Sequence, residues 1–148
     1  MGETNRIVAH YLDGKVLKGT TEDFFANRPG FHLSPVGGGP AVEVLCKTLK
    51  AVFFVKDFGG DPQRRDRIGF GASEPNQGKK VAALFTDGEV ISGYTLTYTP
   101  EKSGFFITPV DSSSNNIRVY VLVRATREVG VGVQADALLS KYPPPRAA

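Results

Sequence analysis

In 148 residues the chain holds one cysteine, one methionine, two histidines and no tryptophan. A single thiol, Cys46, excludes an intrachain disulfide and a cysteine-based zinc cluster. No apolar run approaches the roughly 18 residues of a membrane span. The opening MGETNRIVAHYLDG lacks the basic start and apolar run of a signal peptide. Gly2 follows Met1, but Arg6 stands where a myristoylation signal has Ser or Thr. A cytoplasmic location without membrane attachment is the expectation. Excess charge is also scarce: 18 Lys/Arg stand against 15 Asp/Glu, a net +3. Residues 1–57 carry seven and six, 58–78 three and three, 79–129 six and five, and the tail two and one. Nucleic-acid binders usually concentrate their positive charge, and here the excess is spread.

What is present is a segment written twice. IVAHYLDGKVLKG at Ile7 is answered by VAALFTDGEVISG at Val81, and PGFHLSP by SGFFITP. Asp13-Gly14 matches Asp87-Gly88, Gly19 matches Gly93, Gly30-Phe31 matches Gly104-Phe105 and Pro35 matches Pro109, all at an offset of 74. Beyond Pro35, VEVLCKTLKAV answers IRVYVLVRAT if one residue is inserted and later removed. Each copy is near the lower size limit for independent folding, which predicts a shared core or interface.

Each copy reads as five strands. Ile7–Leu12 and Lys15–Phe25 flank Asp13-Gly14, a hairpin signal whose type I′ turn needs positive φ at both central residues. Phe31–Ser34, Val42–Cys46 and Lys50–Val55 complete the set. Val81–Thr86, Glu89–Tyr98, Phe105–Thr108, Ile117–Val123 and Arg124–Val129 repeat it. Positions apolar in both copies at alternate spacing are the expected core: Ile7/Val81, Ala9/Ala83, Tyr11/Phe85, Phe31/Phe105, Leu33/Ile107, Val44/Val119 and Cys46/Val121. The opposite face carries His10, His32 and Leu45 in the first copy and Leu84, Phe106 and Tyr120 in the second. So apolar an outer face predicts an interface, either between the copies or in a homodimer. Gly19 and Gly93, in mid-strand, mark a sharp bend that lets a small sheet curl into a barrel.

The expected boundaries are a first β-barrel repeat at 1–57, a linker at 58–78, a second repeat at 79–134, and a short helix with a flexible tail at 135–148. The linker contains Gly, Pro and charge without a period. Its Arg64, Arg65 and Arg67, interrupted by Asp66 and with Phe58 and Phe70 nearby, form its only basic cluster, and Arg with aromatics can grip phosphates and stack bases. The plain alternative is a solvated linker neutralised by its own acids.

Catalytic constellations are missing. His10 and His32 are matched by Leu84 and Phe106, so both positions accept apolar groups, and a metal would need a third ligand such as Glu22 or Asp23. Cys46 reads as a small buried hydrophobe. Gly37-Gly38-Gly39 lacks the Lys-Ser/Thr of a phosphate loop. Gly69-Phe70-Gly71 lacks the strand-to-helix context of a dinucleotide site. No catalytic residue, metal or cofactor is expected.

The order strand, Asp-Gly, long strand with a mid Gly, short strand and two further strands resembles Sm-like and SH3-like small barrels. LDGKVLKG and TDGEVISG resemble the opening of an Sm motif. The resemblance implies an all-β fold of two tandem five-stranded SH3/Sm-like barrels. It does not carry the Sm RNA site, because Lys50-Ala51 and Arg124-Ala125 hold Ala where that family has Gly, and Asn27 does not fit the spacing from Gly19. The chain is also similar to an uncharacterised bacterial module that can accompany PilZ-type cyclic di-GMP domains. No Lys/Arg pair at i, i+4 supplies the PilZ arginines, and Asp111-Ser112-Ser113-Ser114-Asn115-Asn116 ends in Asn rather than Gly. The resulting expectation is a non-catalytic interaction or regulatory module that binds a protein partner. RNA or nucleotide binding is the alternative.

Overall fold

In a computed structural model of the chain, residues 4–26, 28–58, 78–96, 98–99, 102–109 and 115–141 are described. Among these the chain is all-β apart from one helix and two short 3-10 turns. The first half contains β1 (Asn5–Tyr11), β2 (Val16–Thr21), β3 (Gly30–Pro35), β4 (Val42–Leu45) and β5 (Leu49–Val55). The second contains β6 (Lys79–Phe85), β7 (Val90–Thr95), β8 (Gly104–Pro109), β9 (Asn116–Leu122) and β10 (Thr126–Val131), followed by α1 (Val133–Lys141). The 3-10 turns Cys46–Thr48 and Val123–Ala125 join the last two strands of each half.

The expected pair of separate barrels is corrected. All ten strands form one antiparallel sheet in the order β10-β6-β7-β8-β9-β5-β1-β2-β3-β4, open at both ends. The halves have the same internal order: last strand, then first to fourth. They are joined because the second edge of β5 is taken up by β9, with Ala51 opposite Val121, Val52 opposite Tyr120 and Phe53 opposite Val119. An unpaired apolar edge is a liability, and pairing it within the chain removes it.

This position explains β5. Its sequence LKAVFFV does not alternate, and all seven residues are buried. A strand covered on both faces needs apolar side chains on both. Most buried apolar residues of both halves, including Ile7, Phe31, Phe54, Phe85, Phe105 and Val119, belong to one cluster. A smaller cluster lies under α1, where Ala82 and Leu84 meet Ala135 and Leu138.

Two local expectations also change. Only the glycine of each Asp-Gly pair has positive φ (Gly14 +93°, Gly88 +94°). The Tyr11 N–H donates to the Lys15 carbonyl (2.9 Å) and the Gly14 N–H to the Tyr11 carbonyl (3.1 Å). These are three-residue loops closed by a left-handed glycine rather than two-residue type I′ turns. The copies also align differently after Pro35. Gly30 pairs with Leu45 and Gly104 with Leu122, while Ala9 pairs with Val52 and Ala83 with Val129. The offset is therefore 77 from β4 onward. Three residues are inserted in one loop and none is removed, so Val44 matches Val121 and Cys46 matches Val123.

Gly19 and Gly93 are needed for close approach as well as bending. A Cβ on Gly19 would fall on the Ser34 carbonyl oxygen, and one on Gly93 on that of Thr108. Each glycine sits where the sheet folds over sharply enough for the second and third strands to touch.

Candidate functional site: a basic cleft between the halves

At the seam between the halves, one end of the sheet opens into a cleft of about 750 Å³. Each half supplies its loop between second and third strands and its 3-10 turn. The first half gives Ala26, Arg28 and Pro29 with Leu45, Cys46 and Lys47. The second gives Lys102 and Ser103 with Leu122, Val123 and Arg124. None of these lining residues is acidic. The contributions are equivalent by sequence: Arg28 matches Lys102 at the offset of 74, and Lys47 matches Arg124 at 77. All four cations are exposed. None of them has a carboxylate partner among the described residues.

Between the cations the lining is largely apolar, with Leu45, Leu122 and Val123. The Arg28 guanidinium lies over the exposed Phe25 ring, 4.5 Å from its centroid. Arg124 Nη1 donates to the Lys47 carbonyl across the seam (3.3 Å), which ties the two 3-10 turns together. The Cys46 Sγ faces the Arg28 carbonyl (3.8 Å), and burial pushes its thiol up from the ordinary value. A thiol kept protonated is a wall and not a nucleophile. A side pocket of about 330 Å³ continues from Ala26, Lys102 and Ser103 to Phe106 and Tyr120.

The seam itself is aromatic. Phe24 meets Phe31, Phe54 and Tyr120 edge-on at 5.1–5.3 Å. Phe106 packs on Tyr120 at 5.0 Å, and the Tyr120 hydroxyl donates to the Ala26 carbonyl (3.1 Å). Arg118 stacks over both Phe54 and Phe106 at 4.4 Å, and burial lowers its guanidinium pKa. A second tie lies at the start of β5. The buried Lys50 bonds Asp87 (2.7 Å) and Glu89 in the turn between β6 and β7 and lies over the Phe85 ring. Burial pulls the Lys50 ammonium down, but the two carboxylates outweigh it and hold it above the ordinary value. The bond to Lys50 holds the Asp87 carboxyl below its own ordinary value.

The residues singled out from sequence divide. Arg64, Arg65, Arg67 and Phe70 lie outside the described residues. Phe58 is half-buried against the core and accepts a bond from Lys18 Nζ through its carbonyl (3.3 Å). Phe106 and Tyr120 face the first half. Leu84 is separate from them, covered by α1. His32 and Asp23 pair at 2.8 Å, while His10 packs on Phe53. No group of three metal-ligating side chains occurs among the described residues, and no described helix is long and apolar enough to cross a membrane. Sequence reasoning missed the cleft cations because they lie in four separate segments. Their signal was positive charge kept at matched positions of the two copies.

Residues 3–132 match a protein family of unknown function. The chain belongs to that family, DUF6982. The match takes in both halves of the DUF6982 chain and stops just before α1. No curated protein and no solved structure matches it.

Proposed function

We propose that the chain is a non-catalytic binding module made of two copies of one SH3/Sm-like small-barrel unit, fused edge to edge by duplication. The cleft between the copies takes a phosphate-bearing ligand, either single-stranded RNA or a nucleotide. One observation carries this reading. Arg28, Lys47, Lys102 and Arg124 converge from equivalent positions on a cleft with no acidic residue among its described lining. Four cations without a carboxylate partner among the described residues are costly to gather unless an anion neutralises them. An apolar lining, with the exposed Phe25 beneath the Arg28 guanidinium, suits a base beside the phosphates.

The test is fluorescence anisotropy with a labelled oligouridine RNA and, in parallel, a labelled cyclic dinucleotide. Wild type is compared with an Arg28→Ala/Lys47→Ala/Lys102→Ala/Arg124→Ala variant and with an Arg64→Ala/Arg65→Ala/Arg67→Ala variant. Binding lost in the first and kept in the second supports the cleft. Binding lost only in the second moves the site to the linker. A protein partner is the second reading, and it rests on the free edge of β4, where Val42 and Leu45 are exposed. A peptide strand could add there by main-chain pairing. Absence of any nucleic-acid or nucleotide binding would leave that reading in its place.

A further inference from the structure

The halves are joined head to tail: the last strand of the first (β5) pairs with the fourth strand of the second (β9). The strands left at the ends of the sheet are their counterparts, β4 and β10. A head-to-tail contact that does not use up its own edges can repeat without limit, giving rings or filaments. β4 of one chain could therefore meet β10 of another as β9 meets β5 within the chain.

The residues at those edges oppose this. At the internal seam Tyr120 and Ala51 are buried, and Tyr120 faces Phe24 and Phe106. Their counterparts at the offset of 77 are Glu43 on β4 and Glu128 on β10. In the register of the internal seam Glu128 would lie opposite the buried Val44, and Glu43 opposite Val129. Glu43 would then lose water without gaining a partner, and Glu128 would lose water with only the distant Lys141 Nζ (3.9 Å) beside it. Phe106, which packs against Tyr120 at the internal seam, is matched by the exposed His32. α1 packs its Ala135 and Leu138 against Ala82 and Leu84 of β6, and no described strand pairs with the other edge of β10. Charged residues placed at strand edges are a known way to prevent edge-to-edge association.

We propose that Glu43 and Glu128 guard a latent head-to-tail surface for a second copy of this chain, and that they hold it as an isolated pair of units with a single cleft. This rests on the order and register of the sheet and is independent of what the cleft binds. Light scattering coupled to size exclusion tests it on the full chain. Wild type is expected at the monomer mass of 15.9 kDa from low micromolar to near-millimolar concentration. Glu43→Tyr opens only β4, and Glu128→Ala opens only β10. Each variant alone is expected to stay monomeric, and a mixture of the two to give a species of doubled mass. Circular dichroism and cooperative unfolding establish that both are folded. The double variant in one chain is expected to assemble further. The proposal is overturned if wild type assembles on its own. It is equally overturned if the folded variants, mixed or combined, remain at monomer mass.

Discussion

Tyr120→Ala probes whether the seam belongs to the core or merely joins two finished units. Tyr120 is 2% exposed, has ring neighbours in both halves and donates its hydroxyl to Ala26. Truncating a large buried aromatic costs about 3–5 kcal/mol, including the cavity left behind. The hydroxyl accounts for the low end of about 0.5–1.5 kcal/mol, because Ala26 is exposed and its carbonyl can turn to water. Tyr120→Phe should therefore cost roughly 0.5 kcal/mol and Tyr120→Ala roughly 4 kcal/mol. A domain of this size is stable by about 7–20 kcal/mol in all, so the larger loss is plain in a urea titration. Both variants should unfold in one transition with the wild-type slope, because residues of the two halves share one cluster. Glu43→Ala, at the matched exposed position, should cost nothing measurable. If Tyr120→Ala costs under 1 kcal/mol, or unfolding splits into two steps, the halves are independent and the shared-core reasoning fails.

Gly93→Ala places a Cβ on the Thr108 carbonyl, so a loss of several kcal/mol or failure to accumulate folded protein is expected; wild-type stability in denaturant titration would refute the close approach. The Lys50 tie gives a signed pH dependence. Asp87 is depressed, so its contribution is present above its unfolded pKa of about 3.9 and lost as pH falls through the lower folded value. Lys50 is raised, so its contribution is complete below about 10.4 and lost as pH rises through the higher folded value. Lys50→Met should flatten both limbs of the stability-versus-pH curve relative to wild type, and an unchanged curve would remove the tie from the account. Cys46, with its thiol pushed up by burial, should react with a maleimide more slowly than free cysteine at neutral pH. A ligand seated in the cleft should slow it further, and an unaffected rate would place the ligand elsewhere.

Much of the strand plan was legible because its punctuation is local. Asp13-Gly14 and Asp87-Gly88 mark two hairpins, and Gly19 and Gly93 mark two folds of the sheet, each through its own backbone chemistry. The joining of β5 to β9 was not legible, since pairing is chosen between distant segments and no turn sets its register. The run LKAVFFV held the available hint, for a strand without alternation is one buried on both faces. The three-residue shift after Pro35 was hidden because both loops are rich in small polar or glycine residues that score alike at many alignments. Arg64, Arg65 and Arg67 drew attention as a binding site for a simple reason: neighbours in sequence are visible without a fold. Arg28, Lys47, Lys102 and Arg124 become neighbours only after the seam forms. The Arg28/Lys102 match was nevertheless present in the ungapped register.

The most direct measurement of the cleft's role is the salt dependence of RNA affinity. Each phosphate neutralised on a single strand contributes about −0.7 to the slope of log affinity against log salt concentration, so four cations give about −3. Wild type is expected near that value, and Arg28→Ala/Lys102→Ala is expected to lose about half of it. A slope near zero for wild type, or one unchanged when those cations are removed, would contradict phosphate recognition in the cleft.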